Sequence, residues 1–226
     1  MTTAIKLAKA HLKLNFPKPM AILFLMSLTM LAPHYPRIVS AMFFVMVISS
    51  VLGITRETRS EELLLTLPAK RSDLVKGQAL FVFILQLVYL LCCAAAALAA
   101  MFIPFYGKTV AVAQPGMVGN LAFFGVALAV YGAFNFAFMP LYYIKNGKVS
   151  PATLLIACIA ALVAGFAVYG IFELLAQFVP SVGAVLRSFD FGTLGWQLLV
   201  LFGGAAFYVG ASALSVMLAV KRYERG

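Results

Sequence analysis

The segment "EELLLTLPAKRSDLVKGQ", residues 61–78, is the one long polar interruption inside a chain of apolar runs. Glu, Arg and Leu favour a helix over residues 56–67. Pro68 ends that helix and pushes the preceding Leu67 towards an extended conformation. Ser72 is a suitable cap for a second helix that continues into an apolar run. The segment predicts a short charged helix bent into a long apolar one, which either couples to a partner or is a solvated connection.

The composition identifies the apolar runs as membrane spans. The 226 residues are 64% hydrophobic and 11% charged, and the mean hydropathy is +1.02. Soluble domains average about 45–50% apolar and roughly 25% charged residues. We therefore expect residues 1–226 to form a single transmembrane domain in a lipid bilayer.

The apolar runs predict an all-α polytopic membrane protein with six spans, because a spanning helix needs about 20 apolar residues. Ahead of them, Lys6, Lys9 and Lys13 recur at helical spacing. This spacing predicts a basic amphipathic helix over residues 4–16 that lies in the membrane interface. The predicted spans cover residues 20–33, 38–54, 78–104, 118–144, 151–171 and 193–219.

The basic residues indicate how the spans are oriented. The net charge is +10, but the Lys and Arg residues fall in short clusters between apolar runs, so we expect no nucleic-acid partner. With both termini in the cytoplasm, only Arg37, Lys108 and Arg187 of the 17 Lys and Arg residues lie on the outer side. This bias follows the positive-inside rule, and it predicts that both termini are cytoplasmic.

The predicted spans offer no residues for catalysis or metal binding. Every Asp, Glu, Lys and Arg falls in a connection or at the end of a span. His11 and His34 are expected to be solvated, and Cys92, Cys93 and Cys158 are expected to pack in apolar surroundings. The sequence therefore disfavours a membrane enzyme and predicts no catalytic residue, metal site or cofactor in this chain.

Gln86 and Asn135 are polar residues within the predicted spans, and Phe134 and Phe138 lie close to Asn135 in sequence. Two interpretations stay open. The first is a hydrogen bond between helices, which membrane proteins use to hold helices together. The second is a substrate path lined by these four side chains, with Asn135 as a polar point among aromatic rings.

Residues 171–190 separate the last two predicted spans on the outer side, and their charges keep them out of the bilayer core. Pro180 must interrupt any helix there, and Ser181 is placed to cap a second short helix. Two interpretations stay open for this segment as well. It is either a re-entrant helical hairpin with an external gate at Phe178, Val179 and Pro180, or a helix lying flat in the outer interface.

Three segments resemble the small bacterial ABC-2-type permeases. Residues 61–78 are similar to the acidic, Leu-rich helix that ends in Leu-Pro ahead of the third span of that family. "MPLYYIKNGKVSPA", residues 139–152, resembles the exit from the fourth span, and "ALSVMLAVKRYERG", residues 213–226, resembles the basic, Tyr-containing tail. The apolar, broken segment at 171–190 resembles the re-entrant helices of the same family. Together these matches extend over nearly the whole chain.

The resemblance implies the permease of an ABC exporter of peptides, antibiotics or lipophilic compounds in the bacterial plasma (inner) membrane. ATP and Mg are then bound by a separate subunit, because neither Gly107–Lys108 nor Gly147–Lys148 completes a P-loop. The resemblance also implies two ABC ATPase subunits per complex and a second permease, identical or homologous. The alternatives are a stand-alone channel, or a scaffold or immunity protein, without an ATPase.

The same resemblance assigns ATPase docking to the charged helix and its bend, with a secondary contact in the next cytoplasmic connection. The docking residues are Glu57, Glu61, Glu62, Leu63, Leu64, Leu65, Leu67 and Pro68. The secondary contact comprises Lys145, Asn146, Gly147 and Lys148.

Overall fold

Helices make up most of the protein. The computed structural model describes residues 2–15, 24–57, 70–111, 116–143 and 151–224. The α-helices are α1 Thr2–Asn15, α2 Arg37–Met42, α3 Phe44–Glu57, α4 Arg71–Ala100, α5 Leu121–Tyr142, α6 Pro151–Phe178, α7 Pro180–Arg187 and α8 Leu194–Glu224. Two short 3-10 helices, Leu25–Leu31 and Phe191–Thr193, precede α2 and α8.

Four helices in the described part of the chain are long and apolar enough to cross a membrane. They correspond to the last four predicted spans. The 30 residues of α4 extend over about 45 Å at the rise of an α-helix, which exceeds the roughly 30 Å of a hydrocarbon core. The four stretches are Ser72–Ala100, Leu121–Tyr142, Ala152–Phe178 and Phe191–Glu224. The protein is therefore a multi-pass membrane protein.

The first two predicted spans take a different form. The described part of the first is only the 3-10 helix Leu25–Leu31, and residues 16–23 lie outside the described residues. The second is divided into α2 and α3, which contribute a shorter apolar stretch, Arg37–Leu52. Pro33 and Pro36 lack a backbone N–H, so a helix cannot continue through the connection between them.

The helix that enters the third predicted span begins close to its predicted start. α4 begins at Arg71 and runs through Gly77 into the apolar stretch. Lys70 is its N-cap residue, in an extended conformation and without a side-chain hydrogen bond to the helix. The predicted cap at Ser72 is therefore wrong, because Ser72 already lies inside the first turn.

The helix of the fifth predicted span is longer at its C-terminal end than expected. α6 continues through residue 171 to Phe178, because no proline or turn residue interrupts it before Pro180. The break at Pro180 is present, but Val179 is the N-cap residue of α7. The predicted cap at Ser181 is wrong. Pro180 takes the first helical position, where a missing N–H costs nothing.

A small hairpin between α4 and α5 departs from the all-α prediction. Strand β1, Pro104–Phe105, pairs antiparallel with strand β2, Lys108–Thr109. The two residues between them, Tyr106 and Gly107, have φ values of 44° and 74°. A two-residue hairpin turn favours positive φ at both positions, because its twist then matches that of the strands.

α1 lies along the first turns of α4. Leu7 and Ala8 are buried, and a Cβ atom on Gly77 of α4 would lie 2.7 Å from the Cβ of Leu7. Lys6 and Lys9 are exposed on the other face. α1 thus has one buried and one basic, exposed face, and glycine at position 77 allows its close contact with α4. Its position in the membrane interface stays a prediction.

α5 is the central helix of the fold. Its most apolar stretch is 72% buried, whereas the corresponding stretches of α6 and α8 are only 22% and 28% buried. α6 and α8 both pack on α5. The large apolar surface that these two helices leave exposed is the surface expected to face lipid.

Glycine residues bring the backbones of α5 and α8 into contact. A Cβ atom on Gly204 would overlap the carbonyl group of Gly125, and one on Gly125 would overlap the carbonyl group of Val200. Small residues at a membrane helix crossing allow this close approach. Gly203, one position away, faces open space, and a Cβ atom there would have no neighbour within 4 Å.

This difference predicts opposite outcomes for two neighbouring substitutions. Gly204→Val forces the two backbones apart and should destabilise the protein by about 2 kcal/mol or more, lowering the Tm in detergent by roughly 5 °C. Gly203→Val carries the same change in helix propensity and should melt close to the unchanged chain. Equal melting temperatures for the two variants would contradict the crossing at Gly204.

Candidate functional site

A cluster of polar side chains lies in the apolar interior where α4, α5 and α8 meet. Gln86 of α4 and Asn135 of α5 are both 0% exposed. The Gln86 Nε2 donates to Asn135 Oδ1 at 2.7 Å, and the Asn135 Nδ2 donates to Gln86 Oε1 at 2.9 Å. From α8, the Tyr208 hydroxyl donates to Gln86 Oε1 at 2.9 Å, and Ser212 Oγ accepts from Asn135 Nδ2 at 2.9 Å. One network thus connects three helices.

The network contains amides and hydroxyls and no charged group, so it suits binding and positioning and not acid–base chemistry. A polar group left unpaired in an apolar interior is costly. Because Gln86 and Asn135 hydrogen bond reciprocally, moving either helix leaves groups on both helices unpaired. The three helices are therefore held in one arrangement.

The four residues predicted to line a substrate path form two separate contacts. Gln86 bonds to Asn135, and Phe134 and Phe138, both buried, stack with ring centroids 5.3 Å apart. The hydrogen bonds between helices, the first interpretation of Gln86 and Asn135, are present. A substrate path lined by these residues stays a prediction.

The partners that α8 supplies to this network were not predicted from the sequence. Gly204, Tyr208 and Ser212 are spaced four residues apart, so they lie along one face of α8. That face meets α5, and all three residues are buried. A polar stripe continuing from a buried glycine was the signal that would have identified Tyr208 and Ser212.

Asn120 connects α5 to α7 at the other end of the molecule. Its Oδ1 accepts from the backbone N–H of Phe123 at 3.0 Å and so caps α5. Its Nδ2 donates to the carbonyl groups of Val185 at 2.9 Å and Ser188 at 2.7 Å. One side chain therefore satisfies free backbone groups at the start of one helix and the end of another.

α7 folds back along the last turns of α6. A Cβ atom on Gly183 would lie 2.7 Å from the carbonyl oxygen of Ala176, and Arg187 forms an ion pair with Glu173. The predicted gate residues occupy the tip of this pair of helices, where Phe178 is 80% exposed and Val179 and Pro180 are also exposed. Their role as a gate stays a prediction.

Arg37 fastens the connection between α4 and α5 to the start of α2. It is only 2% exposed, and its guanidinium donates to the carbonyl groups of Ala111 at 2.6 Å and Met117 at 3.3 Å. Its Nε has no hydrogen-bond partner among the described residues. Burial lowers the pKa of the Arg37 side chain to about 10, so it stays charged at neutral pH. The sequence placed Arg37 in an outer connection but gave no signal of its burial.

At the opposite end of α4, a second cluster joins α4, α5 and α8. Gln78 donates to the Tyr142 hydroxyl at 3.4 Å and accepts from the Tyr143 hydroxyl. Arg222, in the last turn of α8, donates to the carbonyl group of Pro140 at 2.7 Å. A cation at the end of α5 is favoured there because helix C-termini carry partial negative charge.

The predicted ATPase-docking residues fall largely outside the described part of the chain. Glu57 ends α3, but the structure describes neither its side chain nor residues 58–69, which include Glu61 and Pro68. The secondary contact, residues 145–148, is likewise outside the described residues. Within the described ranges, no group of three His, Cys, Asp or Glu residues is arranged to hold a metal ion.

The polar network predicts a non-additive pair of substitutions. Gln86→Leu and Asn135→Leu should each cost about 1–3 kcal/mol, because each leaves its former partner buried and unpaired. The stability lost by the double variant should be smaller than the sum of the two single losses, by about 0.5–2 kcal/mol. Thermal unfolding of the four proteins in one detergent measures this coupling. Additive losses would show that the two amides do not depend on each other.

A comparison of the whole chain with known protein families identifies the family to which it belongs. The model of a family described as "ABC-2 family transporter protein" matches residues 5–224. No curated protein and no solved structure matches the chain significantly. The resemblance of its three sequence motifs is confirmed, and the chain belongs to the ABC-2 family of transporter proteins as a membrane permease.

Proposed function

We propose that this chain is the permease subunit of an ATP-driven exporter in a bacterial inner membrane, and that its substrate is a peptide, an antibiotic or a lipophilic compound. The observation that carries the proposal is the family match over residues 5–224. The sequence contains no P-loop, so ATP and Mg belong to a partner. The working complex has two ATPase subunits and two permeases, identical or homologous.

In the proposed topology six spans cross the membrane, and both termini are cytoplasmic. Four long apolar helices account for the last four spans. The first two spans lie in the chain ahead of α4, where the structure describes residues 24–57. Lys221 and Arg222 in the last turn of α8 support this orientation, because basic residues favour the cytoplasmic side.

The ATPase docks on the charged segment that directly precedes α4, with the secondary contact at residues 145–148. Two contacts support transmission of movement from this segment. Gln78, two turns into α4, bonds to Tyr142 and Tyr143 at the end of α5. Gln86, two turns further, bonds to Asn135. A displacement of the start of α4 therefore reaches α5 through packed, hydrogen-bonded side chains.

This docking predicts the effect of changes in the charged helix. Glu61→Lys or Leu64→Asp should abolish co-purification of the partner ATPase, and should abolish ATP-driven export from inverted vesicles, without loss of membrane insertion. Glu224→Lys makes the same charge reversal at an exposed residue of α8 and should leave both intact. Normal export by both docking variants would refute the docking role.

The pair formed by the end of α6 and α7 acts as the external gate of the proposed exporter. Its tip is the most exposed part of the pair, and Phe178 there is free to meet the same residue of a second permease. The ion pair between Glu173 and Arg187 joins α7 to α6, and the hydrogen bonds of Asn120 join α7 to α5.

The gate predicts a contact between two permeases at Phe178. In a chain whose three natural cysteines are replaced by serine, Phe178→Cys should form a disulfide-linked dimer in membranes and lose export when linked. Phe102→Cys is the control. Phe102 is as exposed as Phe178, at 84% against 80%, but it follows the end of α4 and is not part of the predicted gate. Free labelling of residue 178 with unchanged export would mean that α7 is a surface helix.

A further inference from the structure

A furrow runs along the lipid-facing side of the protein between α6 and α8. Both helices pack on α5 but scarcely contact each other, so a strip of α5 forms the floor. The furrow has a volume of about 500 Å³. Its lining includes Ala133 and Phe136 of α5, Ala164 of α6, and Phe207, Gly210 and Leu214 of α8.

Small side chains keep the furrow open. Ala133, Ala164 and Gly210 leave space where larger residues would close the gap, and nothing lies within 4 Å of the position of a Cβ atom on Gly210. The lining residues carry only hydrocarbon side chains. The occupant therefore forms no hydrogen bond or ion pair with the walls, and it is itself a hydrocarbon.

An empty furrow is unfavourable inside a bilayer. Its walls lose dispersion contacts with any neighbour, and an apolar cavity is not filled by water. A closed apolar cavity of about 150 Å³ holds one benzene molecule, so this furrow accommodates a hydrocarbon roughly three times larger. A single long acyl chain fits that description.

The end of α8 supplies a charge beside the furrow. Phe207, Leu214 and Lys221 are spaced seven residues apart, so they share one face of α8, and all three are exposed. Lys221 lies about 10 Å beyond Leu214 along the helix axis. The neighbouring charges are Arg222, which bonds to Pro140, and Glu224. The balance is cationic, and one basic residue near a membrane surface attracts anionic lipid by about 1 kcal/mol.

We propose that the furrow binds one acyl chain of an anionic phospholipid, with the headgroup beside Lys221. The apolar lining and the cation lie on one face in the order that a phospholipid presents its tail and its headgroup. A second copy of the chain is the alternative occupant, and the number of subunits in the test below distinguishes it from a lipid. The proposal does not depend on the direction of transport or on the substrate.

Two glycines on the same face of α8 provide a matched test. Gly203 and Gly210 are two turns apart, and a Cβ atom on either would meet no other atom within 4 Å. Only Gly210 lines the furrow. Gly210→Trp therefore fills the furrow, whereas Gly203→Trp adds the same side chain to the lipid-facing surface outside it.

Each protein is placed in nanodiscs of equal parts phosphatidylcholine and phosphatidylglycerol, transferred to mild detergent, and examined by native mass spectrometry. The unchanged chain and Gly203→Trp should retain one phosphatidylglycerol per subunit. Gly210→Trp should lower that occupancy at least about tenfold, equivalent to 1.4 kcal/mol. Lys221→Gln should retain one lipid without preference between the two headgroups. If Gly210→Trp does not fold, Gly210→Leu and Gly203→Leu replace the tryptophan pair.

Three results would overturn the proposal. The first is an unchanged chain that retains no phospholipid, and the second is equal lipid loss in the Gly203 and Gly210 variants. The third is a change in the number of subunits with Gly210→Trp while the bound lipid stays the same, which would assign the furrow to a second copy of the chain. The mass of each protein reports both its bound lipid and its number of subunits, so the spectra of the variants distinguish the three results.

Discussion

The contact between the backbones of α5 and α8 is the constraint on which the rest of the structure depends. Gly125 and Gly204 leave no room for even a methyl group between the helices. In a bilayer the hydrophobic effect does not drive helices together, so close packing and polar contacts must do so. The crossing at these glycines places Tyr208 and Ser212 of α8 within hydrogen-bonding distance of the amides on α4 and α5.

The polar network and the glycine crossing have complementary consequences. The crossing sets the distance between α5 and α8, and the amide pair of Gln86 and Asn135 sets the rotation of α4 against them. A hydrogen bond in a membrane interior contributes modestly, about 0.6 kcal/mol on average. Its directionality matters more, because a turned helix leaves several groups unpaired at once. The network therefore links the positions of α4, α5 and α8.

The end of the molecule that carries the β-hairpin and α7 is held by hydrogen bonds from two polar side chains to backbone carbonyl groups. Asn120 caps α5 and also bonds the end of α7, and Arg37 bonds two carbonyl groups of the connection after the β-hairpin. Irregular backbone at a membrane boundary needs such partners because it forms few hydrogen bonds within itself. The described residues on either side of α5's first turn and at the end of α7 are therefore packed parts of the folded domain.

The sequence by itself determined the membrane class, the last four spans and the break at Pro180, because composition, helical periodicity and proline act locally. The family followed from the resemblance of three motifs. The sequence failed where distant residues decide the outcome. Gln86 pairs with residues 49 and 122 positions away, and Arg37 is buried by carbonyl groups 74 and 80 positions away. The N-cap residue of α4 is Lys70 and not Ser72, because a favourable cap residue does not by itself locate a helix end. The first two predicted spans stay predictions. Which polar residues meet, and which glycines allow contact, followed only from the tertiary packing of the helices.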